Sequence, residues 1–255
     1  MTASPKTRLD KLLVERGLAA SRERAQALIL AGRVLVDEQR VDKPGATVSS
    51  DATVRMLGED LRYVSRGGLK LEGALMTWSI DVRGLACADI GASTGGFTDC
   101  LLQHGAASVL AVDTGYGQIA HKLRVDPRVS LMERCNARTL APGALAAVES
   151  IRFFAMDVSF IGASLVLPAV VAALAPAETR WGGQAVILVK PQFEAGREHV
   201  GKGGIVRDPA AQQAAVDRVS DTVRSLHGEI LAVIDSPILG MEGNREFLLY
   251  ARFGG

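Results

Sequence analysis

From residue 71 onward the chain alternates short apolar runs with amphipathic helical stretches, and this alternation leaves few folds open. Apolar runs of strand length stand at 85–90, 108–112, 151–156, 185–189 and 230–234, with Val129–Met132 as a further strand-like run. Helical patterns fill the intervals. Leu71, Ala74, Leu75 and Trp78 share one face of a first helix, and 160–174 reads as another. Asp208-Pro209 opens a third, a cap followed by proline at the first helical position. Such repetition predicts βαβ units, hence a mostly parallel sheet with helices on both faces. The last run, 247–252, follows the strand at 230–234 across a short glycine-containing loop with no helix. It must return antiparallel, beside that strand or near it.

The first 57 residues have a different texture. Leu9, Leu12 and Leu13 recur at helical spacing and Gly17 stops the helix. Ser21 then caps a second helix carrying Ala25, Leu28 and Ile29, which Gly32 closes. Short β-like runs follow around Val34–Val36, Val41, Val48 and 53–56. Residues 1–70 hold 13 Lys and Arg against 9 Asp and Glu, while the rest holds 16 against 19. Arg8, Lys11, Arg22, Arg24 and Arg33 cluster in and around the two helices, where they could grip a phosphate backbone. A plain solvated face accounts for them equally well. Residues 58–68 read as a connector, giving a front domain over 1–60, a linker over 61–67 and a main domain over 68–255.

No apolar run reaches the ~18–20 residues needed to span a bilayer, and the polar start lacks the apolar stretch of a secretory signal. Three cysteines, Cys87, Cys100 and Cys135, show no CxxC spacing, which suits a reducing cytoplasm better than a disulfide framework or zinc knuckle. The four histidines form no HExxH or Cys/His cluster, so no metal is expected.

The chemistry is written at strand ends. Asp89-Ile-Gly-Ala-Ser-Thr-Gly-Gly-Phe-Thr-Asp99 follows the first strand of the main domain and opens a helix, the place where open α/β sheets bind ligands. Gly91, Gly95 and Gly96 let the backbone approach a ligand closely. The stretch lacks the Gly-Lys-Ser/Thr of a phosphate-binding Walker loop and the spacing of GxGxxG. A glycine turn beside Asp89 suits a cationic, amino-acid-bearing cofactor, and Asp113 at the next strand end suits ribose hydroxyls. S-adenosylmethionine meets both demands; a purely structural turn is the competing reading. Asp157 and Lys190 close two further strands. A strand-end lysine reaching a partly desolvated site beside a cofactor sulfonium can serve as a base or oxyanion partner, with a neighbouring carboxylate holding it.

These motifs resemble those of the TlyA (haemolysin A) family of ribosomal-RNA ribose 2′-O-methyltransferases, relatives of the FtsJ/RrmJ enzymes. The segment RLDKLLVERGLAASRERAQALILAGRVLVDEQRVDKPG is similar to an S4 RNA-binding domain, and YVSRGGLKLEGAL to the start of the catalytic domain. DIGASTGGFTD, DVSFI, LVKPQFEAGR and SPILGMEGNREFLLY extend the likeness over nearly the whole chain. The resemblance implies a Rossmann-like class I methyltransferase, with a seven-stranded, mostly parallel α/β sheet whose last strand is antiparallel, joined to a small α+β S4-like domain. It implies a Lys-Asp-Lys-Glu catalytic tetrad at Lys70, Asp157, Lys190 and Glu246, with Lys190 acting on the ribose 2′-oxygen. It implies S-adenosyl-L-methionine held by Asp89, Gly91, Ala92, Ser93, Thr94, Gly95, Gly96, Phe97, Asp113, Asp157 and, near the adenine, Asn136.

Arg66 joins the front-domain cations as an RNA contact. Phe97, Phe160 and Phe193 are candidates for a target-base pocket, against an ordinary core role. The implied substrate is a cytidine of ribosomal RNA, in the 23S molecule with the 16S molecule left open, and the implied assembly is a monomer or small homo-oligomer. Two rivals stand beside this reading: a non-catalytic RNA-binding or ribosome-assembly factor, and a haemolysin, as the historical family name suggests.

Overall fold

The computed structural model describes residues 5–19, 21–57, 62–148, 150–175, 179–240 and 243–254, with the backbone alone at Arg197. The chain divides into two compact units, residues 1–60 and 61–255. The expected boundary at residue 60 and the first linker residue lie outside the described residues.

In the first unit, β1 (Lys6–Arg8) leads into α1 (Leu9–Glu15) and α2 (Arg22–Leu30), followed by β2 (Val34–Val36), β3 (Gln39–Arg40), β4 (Thr47–Ser49) and β5 (Val54–Met56). Strands β3, β2 and β5 form one small sheet, while β1 pairs antiparallel with β4. The Ser21 hydroxyl accepts a hydrogen bond from the Arg24 amide at 3.2 Å, the cap its position predicts. Leu9, Leu13, Ala25, Leu28, Ile29 and Val34 are buried together, so the apolar faces of both helices close on the sheet.

The second unit begins with α3 (Gly67–Thr77), then β6 (Ala86–Ile90), α4 (Gly96–Gln103), β7 (Ser108–Val112), the short α5 (His121–Arg124) and β8 (Val129–Met132). It continues with β9 (Phe153–Met156), α6 (Ala163–Leu174), β10 (Gly183–Val189), the single turn α7 (Pro191–Glu194), α8 (Pro209–Ser225), β11 (Gly228–Asp235) and β12 (Phe247–Phe253). Sheet order is β11-β12-β10-β9-β6-β7-β8, seven strands with only β12 antiparallel to its neighbours. The final strand thus returns as the sequence requires, inserted between β10 and β11. Two apolar layers, one centred on Phe154, Leu167 and Val219 and the other on Leu71, Leu101 and Val186, cover the sheet. Asp208 caps α8, its carboxylate accepting from the Ala210 amide at 3.0 Å.

Three features of this topology place the site. Chain order runs outward from β6 through β7 to β8, then restarts on the other side at β9, so the switch point falls between β6 and β9. Ile90 and Met156 stand opposite each other in register, which sets Gly91 and Asp157 side by side. Because β12 is antiparallel, Val189 pairs with Phe247, and Lys190 and Glu246 emerge at the same sheet edge.

Helix α6 starts at Ala163 instead of 160. Residues 157–162 turn sharply at the carboxyl edge, with Phe160 at φ +66°, a left-handed conformation that no helix interior accommodates. Within the segment read as a connector, Tyr63 is buried in the second unit and the Val64 amide donates to Asp99 at 2.8 Å.

Candidate functional site

A cavity of about 730 Å³ opens at the carboxyl edge of the sheet. Its walls include Arg66 and Lys70, the loop residues Asp89, Gly91, Ala92, Ser93, Thr94, Gly96 and Phe97, then Asp157, Lys190 and Glu246. Residues 176 positions apart in sequence are therefore gathered by the switch point and the antiparallel last strand.

Two ion pairs dominate the floor. Lys70 Nζ lies 2.5 Å from Glu246 Oε2, with both residues buried. Lys190 Nζ lies 2.5 Å from Asp157 Oδ1 and donates a hydrogen bond to the Ser159 hydroxyl at 2.7 Å. The Lys190–Asp157 contact is an ion pair rather than a directed hydrogen bond. Four charges of alternating sign in a partly desolvated pocket hold one another in place, and losing one partner would strand the other.

The glycine loop is shaped by contact as much as by turn geometry. Gly91 has φ +88°, and a Cβ there would meet the Asp157 carbonyl oxygen at 2.4 Å. Gly95 has φ +94°, and a Cβ would strike Leu123 Cδ1 at 2.3 Å. Both positions demand glycine on two counts. Asp89 beneath the loop is fully buried; its Oδ2 accepts from the Thr98 amide at 2.8 Å and from the Thr98 hydroxyl at 2.7 Å. Its Oδ1 is buried with no partner. Burial raises the Asp89 carboxyl to about 7, with the nearby Asp157 and Asp113 charges adding to the shift and the Thr98 bonds opposing it. A buried, unsatisfied carboxylate oxygen next to a glycine cradle is a fitting receptor for a cationic ligand.

The remaining sequence candidates separate. Asp113 lies in an adjoining shallow depression with Ser93, Gly115, Gln118 and Glu133. Its carboxylate accepts from the Ser93 amide at 2.8 Å and the Gly115 amide at 2.6 Å, tying the glycine loop to the end of β7. Asn136 is exposed, lines neither space, and caps a short 3-10 turn by accepting from the Arg138 amide at 3.0 Å. Phe97 is buried, whereas Phe160 is 94% exposed and packs its ring 5.8 Å from that of Phe193 at the cavity wall.

In the first unit, Arg8 and Arg22 both reach the buried Asp10 carboxylate, at 2.8 and 3.0 Å, and Gln26 donates to it at 3.0 Å. The Arg8 hydrogen bond in particular holds the Asp10 carboxyl well below the usual carboxylate range. Lys11 is exposed. Arg24 and Arg33 have interactions of their own. In the second unit Arg66 lines the cavity and donates to the Leu239 carbonyl at 3.3 Å.

Sequence reading passed over Ser159, Gln192 and Asn244. Ser159 and Asn244 sit inside the motifs DVSFI and GNRE, so adjacency to a charged residue was the available signal. Asn244 joins two loops by donating to the Gly204 carbonyl at 2.9 Å and accepting from the Val206 amide at 3.1 Å. Among the described residues no group of His, Cys, Asp and Glu gathers to hold a metal ion, and no helix is long and apolar enough to cross a membrane.

Sheet order, glycine loop and buried lysine–carboxylate pairs define a Rossmann-like methyltransferase. Residues 63–253 match the FtsJ-like methyltransferase family and residues 7–54 match the S4 domain. The chain belongs to the FtsJ-like methyltransferase family and carries an S4 domain at its front. It is 49% identical to YqxC of Bacillus subtilis over 99% of its own length and 88% of that protein. It is 44% identical to the 16S/23S rRNA (cytidine-2'-O)-methyltransferase TlyA of Mycobacterium tuberculosis, over 97% of this chain and 90% of TlyA. A solved structure from Streptococcus thermophilus superimposes with a TM-score of 0.73 at 43% identity, covering 98% of this chain and 90% of that one.

Proposed function

We propose that the protein transfers a methyl group from S-adenosyl-L-methionine to the 2′-hydroxyl of a cytidine in ribosomal RNA. The observation that carries this reading is the meeting of the Lys70–Glu246 and Lys190–Asp157 pairs with the glycine loop in one cavity. TlyA, similar over nearly the full length, is named for this reaction.

A ribose hydroxyl is a weak nucleophile, so the site must align it and take up its proton as the oxygen–carbon bond forms. Lys190 Nζ, held by Asp157 and Ser159, meets the 2′-oxygen, and the Lys190–Asp157 pair receives the proton. Glu246 holds Lys70 in place in the same cavity, where Lys70 steadies the cluster or the target phosphate. The bound cofactor supplies an electrophilic methyl group on a sulfonium. Asp89 would hold its cationic amino-acid end, the backbone of Gly91, Ala92, Ser93, Thr94, Gly95 and Gly96 with Phe97 would shape its bed, and Asp113 would serve its ribose hydroxyls. Asn136 lines neither space. Phe160 and Phe193 form the wall against which a splayed-out base would stack.

Lys11, Arg24, Arg33 and Arg66 supply phosphate contacts, while Arg8 and Arg22 add charge from the ion pairs that brace the front unit. Ribosomal subunits in the cytoplasm are the matching partner. Transfer of radiolabel from S-adenosylmethionine to ribosomal subunits lacking the modification tests the reading. Label that resists alkali marks ribose methylation; tight cofactor binding with no transfer to either subunit would overturn it.

A further inference from the structure

Gln192 belongs to neither ion pair, and its Oε1 is buried against the cavity without a hydrogen-bond partner. Buried amide oxygens are rarely left so, and one that lines a binding cavity calls for a ligand donor. The backbone that carries it is fixed on both sides. The Phe193 and Glu194 amides donate to the Lys190 carbonyl at 2.9 and 3.2 Å. The buried Glu194 carboxylate accepts from the Ser164 amide and hydroxyl at 3.1 and 2.6 Å, and Arg218 grips the Glu194 carbonyl at 2.6 Å. A side chain presented from so braced a turn is preorganised for recognition.

Its neighbours say which ligand it meets. Lys190 Nζ stands 6.0 Å from the Phe193 ring, and Phe193 packs on the exposed Phe160. Gln192 lines the same cavity as the lysine assigned to the 2′-oxygen and the aromatic pair assigned to the base, and it lies between Lys190 and Phe193 in the chain. No protein donor meets the Gln192 oxygen, and both lysine ammoniums in the cavity are paired with carboxylates, so a donor on the substrate fits there.

Resting on the ribose-methylation reading, we infer that Gln192 reads the target base, its side-chain oxygen accepting a hydrogen bond from the exocyclic amine of cytosine. Cytosine offers an amine beside a ring-nitrogen acceptor, the partner pattern of a carboxamide fork. A uracil in the same pose sets a carbonyl oxygen against the buried Oε1 and leaves two acceptors facing each other. Sites that hydrogen-bond a substrate group discriminate far better than apolar pockets of the same shape.

The test uses full-length wild type, Gln192→Leu and Gln192→Glu. Substrates are ribosomal subunits in which the position labelled by wild type is either the natural cytidine or uridine. For Gln192→Leu, kcat/KM on cytidine falls by on the order of tenfold or more and the cytidine-over-uridine preference collapses, while calorimetric Kd for S-adenosylmethionine stays unchanged. Gln192→Glu, which retains an acceptor, keeps the preference. Wild-type selectivity in Gln192→Leu would overturn the assignment, as would a loss confined to cofactor affinity. If wild type labels no ribosomal RNA, the underlying reading fails and this assignment with it, a result distinct from a selective enzyme whose Gln192 variants stay selective.

Discussion

Lys190 Nζ and Asp157 Oδ1 stand 2.5 Å apart at the ends of neighbouring parallel strands, a pairing set by the register of β9 and β10. Strand β9 borders the switch point between β6 and β9, and both residues of the pair line the cavity there. An ion pair on rigid strand ends holds its geometry better than one on loops, and the chemistry proposed for it depends on that.

Lys190→Ala removes the group proposed to meet the 2′-oxygen while leaving the glycine loop untouched. Transfer to RNA should fall by roughly 10²–10⁴-fold, the usual range for losing a positioned acid–base group. Calorimetry should show S-adenosylmethionine binding within about threefold of wild type. A parallel loss of both would instead place Lys190 in the cofactor bed.

Asp89 links stability and binding to pH. Its folded carboxyl titrates near 7 against an ordinary value of 3.8. Between those values the folded state holds a proton the unfolded chain has released, so cofactor-free stability falls as pH rises across that window. The slope disappears above about 7. Binding a cationic ligand favours the ionised form, so affinity for S-adenosylmethionine should tighten from pH 6 to 7.5, with proton release on binding. Thermal melts and calorimetry of wild type against Asp89→Asn check both; a variant with the same pH slopes would refute the linkage.

Asp10 works in the opposite direction. Arg8, with Arg22 and Gln26, favours its ionised form, so its contribution is complete above the ordinary carboxylate range and is lost as pH falls through the lower folded value. Asp10→Ala removes the acceptor shared by Arg8, Arg22 and Gln26 and should destabilise the front unit by roughly 1–2 kcal/mol, since both guanidiniums are half exposed and stay hydrated. Lys11→Ala should leave melting unchanged while weakening RNA binding. A filter-binding and melting comparison separates the bracing cations from those that only meet RNA.

Phe160 is 94% exposed at φ +66°, a combination with no folding benefit to offset it. Phe160→Ala should therefore leave the melting temperature unchanged within a degree or two. Methyl transfer to ribosomal subunits should drop about tenfold or more if the ring stacks on a splayed base. Unaltered transfer would return Phe160 to the ordinary surface.

The alternation of apolar runs and helical patterns made the sheet, its antiparallel last strand and the capped α8 legible, because each rests on local periodicity. DIGASTGGFTD likewise announced a tight turn through its glycines, and that turn lines the cavity. What periodicity cannot carry is which side chains meet. Asp10 lies only two residues from Arg8, yet its capture of Arg8 and Arg22 depends on how α1 and α2 pack. Asn136 follows a strand-like run as a ligand residue would, but its side chain is consumed capping a turn. Gln192 stands in the LVKPQFEAGR motif two residues from Lys190, but its orphaned oxygen is visible only once the cavity around it is known.

The most direct measurement is nucleoside mass spectrometry of ribosomal RNA after reaction with S-adenosylmethionine, wild type and Lys190→Ala in parallel. The wild-type protein should yield 2′-O-methylcytidine and the variant none above background. A methyl group on a base, or 2′-O-methylcytidine formed equally by Lys190→Ala, would contradict it.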